Sequence, residues 1–310
     1  GLPGIVLMEN AGRALAREVL TASHRGDRIA VVCGPGNNGG DGYVCARVLG
    51  AEGRDVVVCL AAGRPRQGGD AAAHLAVLER TGAAVVEMAS AATLARAADA
   101  ILAAEVIVDA LFGTGLKAAV TGHAAEVIAL INRGRGKRIS ADVPSGLDGD
   151  TGRVLGVAVV PDATVTFGFP KAGLIGHPGF ARAGRLIVAE IGIPRALVEK
   201  TGGRLFLLDG EEVGARLRRR APGDHKGSFG HVLVLAGSTG KLGAALLATE
   251  GALRGGAGLV TMGVPPDCLP GVEGRQREAM CAVLDYERSP RESESTLGNL
   301  LDGKTALVWG

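Results

Sequence analysis

The sequence predicts an α/β protein on a doubly wound, Rossmann-like parallel sheet, and three observations carry that expectation. Short runs rich in Val, Ile and Ala recur between segments of helical composition. Those runs are near-continuous rather than alternating, as strands buried on both faces are. Glycine supplies 50 of the 310 residues while aromatics make up 3%, a balance suited to many tight strand-to-helix turns.

The elements follow in order. A helix is expected over 5–16, with apolar residues at helical spacing behind Pro3. Strands are expected at 28–33, 56–60, 84–87, 106–110 and 138–142, with helical segments such as 70–80 and 91–103 between them. Strands at 163–167 and 185–190 complete a first domain, expected over 1–203. A second, over 204–310, starts with a mixed-charge helix at 211–220 and the turn Pro222-Gly223-Asp224. A strand at 231–236, a helix at 244–254 and a strand at 259–262 then form one βαβ unit. The polar segment 287–296 reads as a loop and 305–310 as a strand. Gly1 is not a methionine and the last strand stops at its turn, so both ends read as truncated.

Bulk properties narrow the function. Lys plus Arg is 34 and Asp plus Glu is 32, a net charge of +2, which gives no reason to expect nucleic acid or an anionic membrane as partner. The run Arg218-Arg219-Arg220 reads as a solvated helix end. The odd set Cys33, Cys45, Cys59, Cys268 and Cys281 has no metal-ligand spacing and suits a reducing cytoplasm. No apolar stretch is long enough to span a bilayer.

Three strand ends carry the chemistry. The first runs Val31-Val32-Cys33-Gly34-Pro35-Gly36-Asn37-Asn38-Gly39-Gly40-Asp41-Gly42, an apolar strand emptying into five glycines, two amides and an acid, with a helix expected from Tyr43. In a parallel sheet such a loop offers backbone N–H groups to anions. At the second, Asp109 closes an apolar strand before Gly113-Thr114-Gly115. The third is Ser140-Ala141-Asp142-Val143-Pro144-Ser145-Gly146. A carboxylate at the end of a buried strand is costly unless something pairs with it. Asn38, Asp109 and Ser145 offer amide, carboxylate and hydroxyl oxygens to one hard cation. Taken singly, Asp109 also reads as a turn cap and Ser145 as a helix N-cap; three such ends on one sheet favour a site.

These blocks, with Leu7-Met8-Glu9-Asn10-Ala11-Gly12 before them and Thr166-Phe167-Gly168-Phe169-Pro170-Lys171-Ala172-Gly173 after them, resemble the NAD(P)H-hydrate epimerases. The resemblance implies a substrate that is NADH or NADPH hydrated at C6 of the nicotinamide ring, interconversion of its R and S epimers, and a bound potassium ion. It implies that Asn37, Asn38, Gly39, Gly40 and Asp41 line the substrate pocket. Gly113, Thr114, Gly115, Leu116, Lys117, Ala118 and Ala119 would wrap the phosphates, and Asp142 would hydrogen-bond the substrate. Asn38, Asp109 and Ser145 would hold potassium. Epimerisation needs an acid/base group within reach of the ring; Asp109 is the candidate and Lys171 the runner-up.

The second domain is similar in its opening to the ADP- or ATP-dependent NAD(P)H-hydrate dehydratases, which are ribokinase-like. Asp224-His225-Lys226-Gly227-Ser228-Phe229-Gly230, Ala236-Gly237-Ser238-Thr239-Gly240-Lys241-Leu242-Gly243-Ala244 and Gly255-Gly256-Ala257-Gly258 carry that likeness. It is not a Walker loop, because Lys241 is followed by Leu242 and no hydroxyl is left for magnesium. The likeness implies that Ala244 touches the hydrated substrate, and that ADP or ATP with magnesium is used at a site mostly beyond Gly310. The whole therefore resembles the first part of a bifunctional NAD(P)H-hydrate repair enzyme. A homo-oligomer is compatible with this reading. Two alternatives stay open: a non-catalytic nucleotide-binding or interaction module, and a small-molecule kinase of ribokinase type.

Overall fold

A computed structural model describes residues 2–65, 67–201, 205–285 and 290–310. They divide into two compact units, Gly1–Phe206 and Leu207–Gly310. The boundary expected at 203/204 falls on residues that lie outside the described ones. Among the described residues no helix is long and apolar enough to cross a membrane.

The first unit runs α1 (Gly4–Ala22), β1 (Arg28–Cys33), α2 (Asn37–Ala51), β2 (Asp55–Leu60), α3 (Asp70–Arg80), β3 (Ala84–Glu87), α4 (Ala91–Leu102) and β4 (Val106–Ala110). It continues with α5 (Gly122–Arg133), β5 (Lys137–Ala141), β6 (Ala163–Phe167), α6 (Ala172–Ile175), β7 (Arg185–Ala189) and α7 (Arg195–Lys200). The seven strands lie in the order β3-β2-β1-β4-β5-β6-β7, all parallel. The order reverses between β1 and β4, the switch point at which the following loops diverge and leave a crevice.

Burial on both faces explains the unbroken apolar strands. On one face Ile29, Val31, Val106 and Val108 join Leu15, Val19, Tyr43 and Leu49 of α1 and α2. On the other, Ala30, Val32 and Ile107 pack against Ile101, Val127, Ile128 and Ile131 of α4 and α5. At about 25 cal/mol per Å² of apolar surface removed from water, these two cores are the main stabilising term. The Glu9 carboxylate on α1 meets Arg47 on α2 at 2.6 Å, and Asn10 Nδ2 donates to the Ile191 carbonyl at 2.9 Å. The first conspicuous sequence block thus clamps α1 in place rather than lining a crevice.

One boundary differs in a way that matters for function. The segment from Asn37 to Gly42 is the first turn and a half of α2 rather than a loop ahead of it. Glycine disfavours helix, but here close packing outweighs propensity. A Cβ on Gly39 would sit 1.9 Å from the Gly34 carbonyl oxygen, so only glycine lets the helix start this near the strand.

The second unit runs α8 (Gly210–Arg216), β8 (His231–Leu235), α9 (Gly243–Arg254), β9 (Leu259–Val264), α10 (Leu269–Val272), β10 (Met280–Val283), α11 (Pro290–Leu301) and β11 (Ala306–Trp309). Its parallel sheet is ordered β10-β9-β8-β11. The loop expected over 287–296 is corrected. Residues 287–289 lie outside the described ones, and α11 begins at Pro290, whose fixed φ suits a first helical position. Leu297 and Leu300 pack against Leu233, Leu235 and Leu284, and that apolar face sustains a helix despite its polar composition.

Candidate functional site

At the carboxyl rim of the first sheet, Asp109 on β4 stands beside Ser140 on β5 in register. Its carboxylate is fully buried and saturated. Oδ1 accepts the Ser145 hydroxyl at 2.5 Å and the Leu111 N–H at 3.3 Å; Oδ2 accepts the Ser140 hydroxyl at 2.8 Å and the Ser145 N–H at 2.9 Å. Every donor is neutral, and no ion pair reaches Asp109 among the described residues. Burial therefore raises its pKa, while the bonds from Ser145, Ser140 and Leu111 pull the other way. The placement argues against the acid/base role expected of Asp109, because both oxygens already accept hydrogen bonds from donors of the fold.

Ser145 ties this carboxylate to the next loop. Its hydroxyl accepts the Phe112 N–H at 2.9 Å and lies 3.3 Å from the Phe112 carbonyl oxygen. The following residue, Gly113, lies under both Asn38 and Asp142. The point where a Cβ on Gly113 would sit is 3.2 Å from Asn38 Oδ1 and 3.3 Å from Asp142 Oδ2. Asn38 is buried, and its Nδ2 has no hydrogen-bond partner, an arrangement that is costly without a ligand. The Thr166 hydroxyl on β6 is likewise buried and unpartnered.

A second group of charges meets here. Asp142 has φ 63°, the one non-glycine residue in left-handed conformation among those described, a strained backbone that acidic residues tolerate better than most. Its Oδ1 lies 2.5 Å from Lys171 Nζ, which also donates to the Phe167 carbonyl at 2.8 Å. Asp41, on the same face of α2 as Asn38 by its i,i+3 spacing, is buried and accepts no hydrogen bond among the described residues. Burial pushes its carboxyl well above the usual carboxylate range. Asp142 adds to the rise and Lys171 offsets part of it.

The remaining expected positions divide. Gly39 and Gly40 are buried in the first turn of α2, whereas Asn37 is exposed at its start, where backbone N–H groups lack helical partners. Thr114, Gly115, Lys117, Ala118 and Ala119 form an exposed loop, with Leu116 half-buried against the core. Lys117 pairs with Asp150 at 3.0 Å. Ala244 is exposed in the first turn of α9, in the other unit. A cavity of about 650 Å³ in that unit is lined by Leu235, Gly237, Val264 and Trp309 but not by Ala244. Ser140, the Lys171–Asp142 pair and the isolation of Asp41 were not foreseen. A hydroxyl inside an apolar strand was the one available sign of the first.

Comparison with known proteins matches residues 4–173 to the family model described as YjeF-related protein N-terminus. The chain belongs to that family. All the expected site residues except Ala244 fall inside the YjeF-related region. The chain is also similar to proteins named bifunctional NAD(P)H-hydrate repair enzyme Nnr. That of Moorella thermoacetica is 42% identical over 97% of this chain, and that of Pyrobaculum aerophilum is 42% identical over 100% of it. The chain spans 57% and 60% of their respective lengths. Among solved structures, yeast ynu0 matches with a TM-score of 0.53 and 26% identity, covering 68% of this chain and 89% of its own. Its likeness to the YjeF-related chain agrees with the doubly wound fold.

Proposed function

We propose that the first unit epimerises hydrated NADH or NADPH at C6 of the nicotinamide ring, within a repair enzyme that acts in the cytoplasm on damaged cofactor. One observation carries the reading: Asn38, Gly113, Asp142 and the Asp109–Ser145 pair meet at the switch point of one parallel sheet, as a dinucleotide site requires. The names of the relatives support the choice of substrate.

The roles follow from position. The N–H groups opening α2 and the exposed loop from Gly113 to Ala119 are suited to phosphate oxygens. Asp142, held by Lys171, presents a fixed acceptor to a ribose or ring hydroxyl. Asn38, with its amide unpaired beside Gly113, orients the nicotinamide end.

The residues fit a potassium ion. Asp109 is buried with only neutral hydrogen-bond partners; its partner Ser145 lies 3.3 Å from the Phe112 carbonyl, one residue before the Gly113 against which the Asn38 amide oxygen stands. Oxygen donors with a single formal charge suit a large monovalent cation. The neutral oxygens of Ser145, Phe112 and Asn38 would do most of the holding. When bound, potassium would supply the positive charge that balances Asp109.

The second unit would contribute part of a dehydratase that uses ADP or ATP with magnesium on the S epimer, Ala244 standing near that substrate. The test of the first unit is direct. The protein is mixed with the R epimer of hydrated NADH, and the S form is followed by chromatography with and without potassium. Conversion well above the spontaneous rate, faster with potassium, is expected. A folded sample giving only the spontaneous rate would overturn the proposal.

A further inference from the structure

This inference rests on the epimerase reading and deepens it by naming the group that moves the proton. Two carboxyls and one ammonium feel one another's charge at this rim: Asp41 from α2, Asp142 beyond β5, and Lys171 ahead of α6. The ammonium is committed to Asp142 at 2.5 Å and to the Phe167 carbonyl at 2.8 Å. Asp41 is left without a partner of its own. Besides Asp142 and Lys171, the groups that feel its charge are the buried thiols of Cys33 and Cys45, which are neutral at ordinary pH because burial raises their pKa. Among the described residues no cation other than the committed Lys171 acts on Asp41.

Asp41 is still within the site. It lies three residues after Asn38 on one helix, so both occupy the face turned toward Gly113 and Asp142. The unpaired Asn38 amide, itself buried, marks that face as one that awaits a ligand. Asp109 is taken up by four donors and Asp142 by its lysine. By elimination, Asp41 is the carboxyl free to exchange a proton.

We propose that Asp41 is the catalytic acid/base, and that it works as a neutral carboxyl relaying protons between the C6 hydroxyl and the ring nitrogen. The hydrate is a hemiaminal, with hydroxyl and ring nitrogen on the same carbon. In the relay, one Asp41 oxygen gives its proton to N1 as the C6–N1 bond breaks, its electron pair going to nitrogen. The other oxygen takes the hydroxyl proton as the C6 oxygen becomes an aldehyde carbonyl. Asp41 ends as it began, neutral. Rotation about C5–C6 turns the other face of the aldehyde to the nitrogen, and the reverse relay closes the ring as the opposite epimer. No oxidant, reductant or water is consumed. A carboxyl whose proton is held more tightly because of burial and a neighbouring carboxylate suits this relay, because no charge develops on it at any step.

The test compares wild type with Asp41→Asn, using the full chain, potassium and the R epimer, with the spontaneous rate subtracted. The amide keeps the size but cannot relay, so kcat should fall at least about a hundredfold, as loss of general acid–base catalysis does, with KM within about threefold. The infrared carbonyl stretch of a protonated carboxyl at pH 7 should be present in wild type and weakened in Asp41→Asn. Wild-type kcat should decline as rising pH strips the Asp41 proton. That measurement stands even if the variant fails to fold. A variant that keeps kcat within about threefold, or a wild-type rate that climbs with pH, would overturn the assignment while leaving the epimerase reading intact. A folded wild type with no rate above background would overturn the epimerase reading itself.

Discussion

The two units place the same topology beside opposite chemistry. Each sheet puts its first strand in the interior, its next two strands on one side and its fourth on the other: β3-β2-β1-β4 and β10-β9-β8-β11. Each therefore has a switch point between its first and fourth strands. In the first unit the strand ends there carry Asn38, Asp109 and, on the next strand, Asp142. In the second, β8, β9 and β11 end in Ala236-Gly237, Val264-Pro265 and Trp309-Gly310, which help to line the cavity of about 650 Å³. The fold supplies a switch point in both, and the residue types at the strand ends decide what it can do.

The largest effect expected from this contrast is at Asp109. Removing its carboxylate by Asp109→Ala leaves two hydroxyls and two backbone N–H groups without their acceptor. At about 1–3 kcal/mol for each buried group left unpaired, and with some relaxation, the loss should be about 4 kcal/mol in urea unfolding of the first unit. At the second rim the corresponding apolar positions hold no such network. A loss below about 1 kcal/mol would mean that the polar rim of the first unit is incidental to its stability.

Potassium should come next. If the cation balances Asp109, the first unit gains stability with potassium, by about 2.7 kcal/mol at a hundred times the dissociation constant. Thermal unfolding in potassium against tetramethylammonium would read it. Ser145→Ala should remove the gain, because it deletes the hydroxyl that joins Asp109 to the Phe112 turn. Equal responses in wild type and variant would detach the ion from this rim.

How much of this was legible in sequence depends on the range of the interaction. Strands 28–33, 84–87, 106–110 and 163–167 coincide with the expected ones, because a short run of β-branched and apolar residues is a local signal. The gathering of Asn38 and Asp142 at Gly113 could be anticipated, since parallel strands carry their loops to one rim. The start of α2 could not: helix propensity argues against Asn-Asn-Gly-Gly, and only the Gly34 carbonyl behind Gly39 explains it. The pairing of Lys171 with Asp142 depends on a turn that follows the next strand, and nothing near either residue announces it. The enclosure of Asp109 has the same origin. Its saturation comes from Ser140 and Ser145 on a different strand and loop, so the residue that looked most reactive in sequence is the most enclosed.

A smaller stability effect separates binding from folding. Gly113→Ala brings a methyl to 3.2 Å from Asn38 Oδ1 and 3.3 Å from Asp142 Oδ2, contacts that a shift of a few tenths of an ångström relieves. Unfolding should cost about 1 kcal/mol, the low end of overpacking. Epimerisation should suffer far more, with KM rising at least about tenfold, because the two displaced side chains are those proposed to orient the ring and the ribose. Unchanged KM would mean that the ligand does not lie over Gly113.

The smallest effect is a slope, and its sign differs between the units. In the first, Asp41 holds its proton to higher pH when folded than when unfolded. Above about pH 4, where an unfolded carboxyl ionises, the native state binds more protons, so stability falls as pH rises toward the native titration. Asp109 is shifted in the same direction. In the second unit burial lowers the pKa of His231, with Lys304 adding to the effect. Below about pH 6.5 the unfolded chain then binds the extra proton, and stability falls as pH drops. Asp41→Asn should therefore flatten the first unit's decline between pH 5 and 8, its advantage over wild type growing with pH. The same substitution should leave the second unit's slope untouched. Urea midpoints measured across that range, with hydrogen exchange to tell the units apart, decide the matter. Parallel curves for wild type and Asp41→Asn would show that Asp41 is ionised in the folded state, which removes the electrostatic basis for a neutral relay.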